Sequence, residues 1–252
     1  MTSPAMTPTL NEPREAASGR PPAGDGVVSR LLTRLLFRQA EIVENRELAS
    51  GLHLLTLEGP ALRDLAWMPG DKIQVKLGSG MSTRTYTPID WEAQQGRTRF
   101  IAHALTTGPG SLWVRNARPG EPVRLFGPRK SLDLSRLDTQ TRVLVGDETA
   151  IGLAAAWHPT HTVFEVGDRT AAQSVTDRLD LPATLIARQQ DDGHLETLAD
   201  ILLRLPGRDT GFVLAGRART IQHLLKALRK NGVSTDRILT KAYWAEGKVG
   251  LD

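Results

Sequence analysis

The sequence predicts two joined architectures, a six-stranded antiparallel Greek-key barrel followed by a doubly wound parallel-sheet α/β domain. Three observations carry this. Short strand-like runs between Phe37 and Phe126 are cut apart by Gly and Pro clusters, the punctuation of an antiparallel barrel. Beyond Gly127-Pro128, apolar strand-like runs alternate with helix-like ones, the pattern of a parallel sheet covered by crossover helices. The chain has 252 residues, more than the roughly 100–150 of one typical domain, so two cores are expected.

In chain order, residues 1–25 are rich in Pro, Ala, Ser, Thr and Gly, without an apolar period; a disordered tail is expected. Val28, Leu31, Leu32, Leu35 and Leu36 then recur at helical spacing with Arg30, Arg34 and Arg38 between them. They predict a short amphipathic helix over Val27–Leu36 that packs on its own domain. Barrel strands are expected at Phe37–Glu44, His53–Glu58, Lys72–Leu77, Thr83–Pro88, Thr98–Ala104 and Pro122–Phe126. Gly59-Pro60, Pro69-Gly70, Gly108-Pro109-Gly110 and Pro119-Gly120 separate them, and a short helix near Ser111–Ala117 precedes the last.

The second half predicts strands at Arg142–Val145, Thr162–Val166, Thr184–Ala187, Phe212–Ala215 and Ile238–Trp244. Helices at Thr149–Trp157, Ala171–Leu179, Leu195–Leu205 and Thr220–Lys230 lie between them. In the last helix Ile221, Leu224, Leu225 and Leu228 share one side. The domains are therefore expected at 26–130 and 131–252, with the change of pattern near Gly127–Leu137.

Composition excludes several functions. Lys and Arg number 32 against 28 Asp and Glu, a formal charge of +4. The basic residues are spread rather than blocked, so a small anionic partner is favoured and nucleic acid is not. The absence of Cys rules out disulfides, thiolate-held zinc or iron–sulfur clusters and thiol catalysis, and fits a reducing compartment such as the cytoplasm. No run of about 18 apolar residues predicts a membrane span, and no signal peptide is apparent. No metal-ligand spacing, His/Asp pairing or paired-carboxylate constellation stands out, so no side-chain catalyst is expected. A monomer is the default.

Five ordered motifs carry the chemistry. Arg84-Thr85-Tyr86-Thr87-Pro88 lies on a strand, whose alternation puts Arg84 and Tyr86 on one face. His103 and Ala104 end the next strand, and Gly108-Pro109-Gly110-Ser111-Leu112-Trp113 leads into a helix, a natural anion site in which Ser111 also fits a helix cap. Phe126-Gly127-Pro128-Arg129-Lys130 follows. Gly146-Asp147-Glu148-Thr149-Ala150 comes after the first α/β strand, and Tyr243-Trp244-Ala245-Glu246-Gly247 stands near the end. Together these resemble the siderophore-interacting protein family of FAD-dependent, NAD(P)H-dependent ferric-siderophore reductases, a branch of the ferredoxin-reductase-like superfamily.

The resemblance implies that Arg84, Thr85, Tyr86, Thr87, His103, Ala104, Gly108, Gly110, Ser111 and Leu112 hold FAD. The guanidinium would take a phosphate, the phenol ring would stack on the isoalloxazine, and Thr87 would face the flavin N5 region. Asp147, Glu148, Thr149 and Gly216 would border the nicotinamide nucleotide, with Tyr243 and Trp244 covering the flavin. It also implies an anionic ferric siderophore or other ferric chelate as acceptor, met by basic side chains, for which Lys76, Arg129, Lys130 and Lys248 are the candidates. The sequence departs from the family after the fourth α/β strand. Leu214-Ala215-Gly216-Arg217-Ala218-Arg219 stands there where relatives often carry a Trp and a Gly-Glu pair, and no G-x-G-x-x-G fingerprint occurs. NADPH or NADH is the expected donor. Arg169, Arg217 and Arg219 as 2′-phosphate ligands tilt the choice slightly toward NADPH. Two rivals share these residues: a flavin reductase serving a ferredoxin or flavodoxin, and a module that binds siderophore or flavin without turnover.

Overall fold

The computed structural model describes residues 37–78, 82–205, 207 and 209–248. The expected tail and the Val27–Leu36 helix lie outside the described residues. Seven strands rather than six make the first sheet: β1 (Arg38–Ala49), β2 (Leu52–Glu58), β3 (Lys72–Lys76), β4 (Thr83–Tyr86), β5 (Pro88–Glu92), β6 (Arg97–His103) and β7 (Pro122–Arg129). Their order is β4-β3-β7-β1-β2-β6-β5, antiparallel throughout.

The extra strand arises where one was expected over Thr83–Pro88. Pro88 has no N–H to give to β3, and at Thr87 the chain leaves that neighbour, so 88–92 pairs with β6 instead. Strands β4 and β5 are consecutive in the chain yet lie at opposite edges of the sheet. Only a curled sheet allows this, and the result is a barrel left open along the β4–β5 seam, with Thr87 at the seam. Ile42, Leu55, Leu57, Ile73, Val75, Phe100 and Leu125 fill its interior.

Helix α1 (Pro109–Asn116) is tied to the barrel at its C-terminal end, where Asn45 Nδ2 donates to the carbonyls of Val114 (2.7 Å) and Ala117 (2.8 Å). These are the carbonyls that a helix end leaves without partners.

The second sheet holds β8 (Thr141–Gly146), β9 (His161–Val166), β10 (Thr184–Ala187), β11 (Thr210–Arg217) and β12 (Ile238–Trp244) in the order β10-β9-β8-β11-β12, all parallel. Leu144, Phe164, Val213 and Leu239 point to one face, against α2 (Ile151–Trp157) and α3 (Arg169–Arg178). Val143, Val145, Val163 and Phe212 point to the other, against α4 (His194–Arg204) and α5 (Ala218–Lys230). The same core as α2 includes Leu48, Leu52, Leu54 and Ile101 of the barrel, so the sheets share one apolar interface. Where β8 lies beside β11 the winding reverses, and in such sheets the carboxyl ends at the reversal form the ligand crevice. Among the described residues no helix is long and apolar enough to cross a membrane.

Candidate functional site

Register fixes the first motif. Arg84 pairs with Val75 and Tyr86 with Ile73, whereas Thr85 pairs with Gln74. Directly paired residues share a face, so Arg84 and Tyr86 stand on the side of the two buried aliphatics and Thr85 on the other. The Tyr86 ring stacks on Phe100 at 4.5 Å and lies 6.2 Å from Trp113; burial pushes its phenol pKa up.

Helix α1 begins with Gly108 as N-cap and Pro109 in the first turn, without a side-chain cap. Ser111 therefore lies inside the helix rather than capping it, and its hydroxyl meets that of Thr106 at 2.8 Å. A Cβ on Gly110 would lie 2.9 Å from Arg84 Cγ, so the stem of Arg84 rests on the first helical turn. An always-charged guanidinium on a strand is thus set beside amides that a helix leaves open, where an anion is doubly favoured. Ala104 is buried and Leu112 exposed. His103 is half-buried, and its pKa is lowered, chiefly by burial; Glu148 opposes the shift and Arg188 adds to it.

At the seam the two halves meet through hydroxyls, Thr87 Oγ1 and Tyr243 Oη standing 3.3 Å apart. Burial pushes the Tyr243 phenol up to about 12. Trp244, next along, donates its indole N–H to Asp147 Oδ2 at 2.6 Å. Asp147 is fully buried, and its Oδ1 accepts from the Thr149 amide at 2.8 Å and from the Thr149 hydroxyl. Burial pushes its carboxyl up to about 6, against the bonds from Thr149 and Trp244 that hold it down. Gly216 has φ +106, and a Cβ there would lie 2.6 Å from Asp147 Oδ2. The close approach expected of a nucleotide at Gly216 is made by this carboxylate.

Around Trp244 lies an ionic network that motif reasoning missed. Glu148 accepts from the Gly167 amide (2.5 Å) and from Arg188 (2.8 Å). Glu165, fully buried, accepts from Thr220 Oγ1 and faces His194 Nε2, each at 2.6 Å. The Gln189 amide donates to His194 Nδ1 at 3.1 Å, which assigns the imidazole proton to Nε2. Arg188 and Arg217 flank the Trp244 ring at 5.8 and 6.0 Å from its centroid. Arg217, expected as a phosphate ligand, is 5% exposed; it is held by Asp192 at 2.5 Å and by Glu246. Arg219 pairs with Asp192 at 2.8 Å. Arg169 is exposed in the first turn of α3, which Asp168 caps. The one sequence signal for this network is Glu165 itself, a charge inside the apolar run Thr162-Val163-Phe164-Glu165-Val166.

The expected acceptor residues are only partly gathered. Lys76 shares the face of β3 opposite Ile73 and Val75 with Gln74, which accepts from Arg129 at 2.6 Å. The Arg129 guanidinium lies 4.4 Å over the Phe126 ring. Lys130 is paired with Asp133 at 2.6 Å, and Lys248 lies exposed just beyond β12. Among the described residues no group of three or more His, Asp or Glu is placed to hold a metal.

Two family profiles match consecutive parts of the chain. The siderophore-interacting FAD-binding domain matches residues 78–132, and the siderophore-interacting protein profile matches residues 139–247. No curated protein matches at a significant level. Among solved structures, a siderophore utilization protein from T. fusca superposes with a TM-score of 0.70 at 20% identity, covering 86% of this chain and 95% of that one. The siderophore-interacting protein SipS from Aeromonas hydrophila gives 0.69 at 20% identity, with 85% and 93% covered. A ferredoxin NADP+ reductase from Neisseria gonorrhoeae, solved with FAD and NADP, gives 0.66 at 14% identity, with 82% and 99% covered. At these identities the likeness is one of fold.

Proposed function

Because this chain belongs to the siderophore-interacting protein family and carries its FAD-binding domain, we propose that it is a FAD-dependent NAD(P)H ferric-siderophore reductase. The barrel, 26–130, holds the flavin, and the α/β part, 131–252, holds the nicotinamide nucleotide. Bound FAD supplies a centre that takes two electrons from a nicotinamide and releases them singly.

The observation that carries the reading is the packing of Arg84 on Gly110 at the uncapped start of α1. It gives a diphosphate both a guanidinium and open helix amides, so these residues fit FAD. Tyr86 offers a ring on the same face of β4, and Thr87, held by Tyr243, offers a hydroxyl at the seam. His103 has its pKa lowered and serves as a neutral wall residue, not as a proton donor. Lys76 and Arg129 give the outer barrel face the charge that draws an anionic ferric chelate. Reduction to Fe(II) weakens the grip of hard oxygen ligands and frees the metal. A cysteine-free chain suits the cytoplasm, and the working unit is taken as a monomer.

The test is an anaerobic assay with FAD-loaded protein, reduced coenzyme and a ferric siderophore, with Fe(II) trapped by a chromogenic chelator. Catalytic formation of Fe(II) is expected. If the coenzyme bleaches the flavin but no ferric chelate restores it, ferric reduction is abandoned and the flavin assignment stands.

A further inference from the structure

Resting on that reading, we infer that the crevice at the carboxyl ends of β8, β9 and β11 selects NADH over NADPH, with Asp168 reading the ribose 2′-hydroxyl. Asp168 follows β9, the second strand of the parallel sheet, and comes about 20 residues after Gly146 at the end of the first. The glycine fingerprint from which dinucleotide folds count that interval is absent here, but the place is the same, just past the second strand, where they carry the acidic residue that bonds a free 2′-hydroxyl. Its Oδ1 accepts from the Ala171 amide at 3.0 Å and caps α3. The residue is exposed, and a carboxylate that spends one oxygen on a cap can still accept a hydroxyl on the other.

The guanidiniums at the neighbouring strand ends do not offset this acidic reader. The two oxygens of Asp192 are divided between Arg217 (2.5 Å) and Arg219 (2.8 Å). Arg217 also holds Glu246, and Arg188 is taken by Glu148 at 2.8 Å. Arg188 and Arg217 lie 3.8 and 3.9 Å from Glu165 as well. A 2′-phosphate entering here would have to displace carboxylates from the buried Arg217, the partly buried Arg188 or the exposed Arg219 while its own charge approached Asp168, and like charges so placed are strongly unfavourable. A ribose 2′-hydroxyl meets neither obstacle. Arg169 is the exposed cation beside Asp168; if it captured a 2′-phosphate, the preference would reverse.

The test is calorimetric titration of the flavin-loaded protein with NAD+ and NADP+, which differ only in the 2′-phosphate. Wild type is compared with Asp168→Asn and Asp168→Ser, both of which keep a capping side chain. Wild type is expected to bind NAD+ about tenfold or more tightly, the scale of one hydrogen bond to a charged group. Both variants should narrow that ratio severalfold. Equal or tighter NADP+ binding by wild type, or a ratio unmoved in both variants, overturns the inference. A yellow protein that binds neither nucleotide also overturns it, with the flavin reading intact. A protein that takes no FAD yet prefers NAD+ supports the selectivity and refutes the reductase.

Discussion

Replacing Gly216 by Ala perturbs the switch-point crevice through a single methyl group. The backbone there has φ +106, and the added Cβ would stand 2.6, 2.7 and 2.8 Å from Oδ2, Cγ and Oδ1 of Asp147. Two separate penalties follow. An L side chain in that conformation costs about 1–2 kcal/mol. The carboxyl must also retreat, which breaks the bond from Trp244 Nε1 at 2.6 Å; a hydrogen bond to a charged partner contributes about 1.5–3 kcal/mol. Together the expected loss is about 2.5–5 kcal/mol, against a typical domain stability of about 5–15 kcal/mol. Urea unfolding followed by tryptophan emission measures it. Asp147→Ala in the same chain removes the obstacle and leaves the backbone penalty, so the two substitutions should be less than additive. A loss under about 1 kcal/mol, or strict additivity, would refute the assignment of Gly216 to the Asp147 carboxylate.

Asp147 should also make stability depend on pH. Its carboxyl is raised from an ordinary 3.8 to about 6, so between those values the folded state holds more protons than the unfolded one. Stability therefore falls as pH rises from about 4 to 6 and levels off above, by about 3 kcal/mol in total. Against Asp147→Asn the wild type should gain as pH drops from 7 to 4, and a pH-independent difference would sink the assignment. Arg84→Ala should weaken FAD retention by about 1.5–3 kcal/mol, measured by equilibrium dialysis; unchanged retention removes Arg84 from the flavin site. Lys76→Glu should slow reoxidation of reduced protein by an anionic ferric chelate, and 1 M salt should erase the difference, since the Debye length falls there to about 3 Å. Lys130→Glu should do less, because Asp133 already neutralises Lys130; equal effects would contradict the placement of the acceptor face.

Local signals made most of the fold legible. The elements Thr184–Ala187 and Ile238–Trp244 appear at the expected residues; they are the two edge strands of the parallel sheet, only partly buried, yet each is a short strand-forming run bounded by polar or helix-like segments. Strand β5 was not legible: Pro88-Ile89-Asp90-Trp91-Glu92 is short, and its pairing with β6 depends on the barrel curling round to meet it. Within the site, the Arg84 and Tyr86 face could be read from strand alternation. The burial of Arg217 could not, since its partners Asp192 and Glu246 lie 25 and 29 residues away and meet it only once the sheet and the C-terminal segment are assembled. Ser111 looked like a cap because its residue type favours that role, but Pro109 starts the helix two residues earlier.

The absorbance spectrum of the purified protein, before and after FAD and then coenzyme are added under argon, tests the central claim most directly. A flavin band near the visible blue that remains through gel filtration and is bleached by reduced nicotinamide is the expected result. A colourless protein that takes up no FAD would contradict the account at its root.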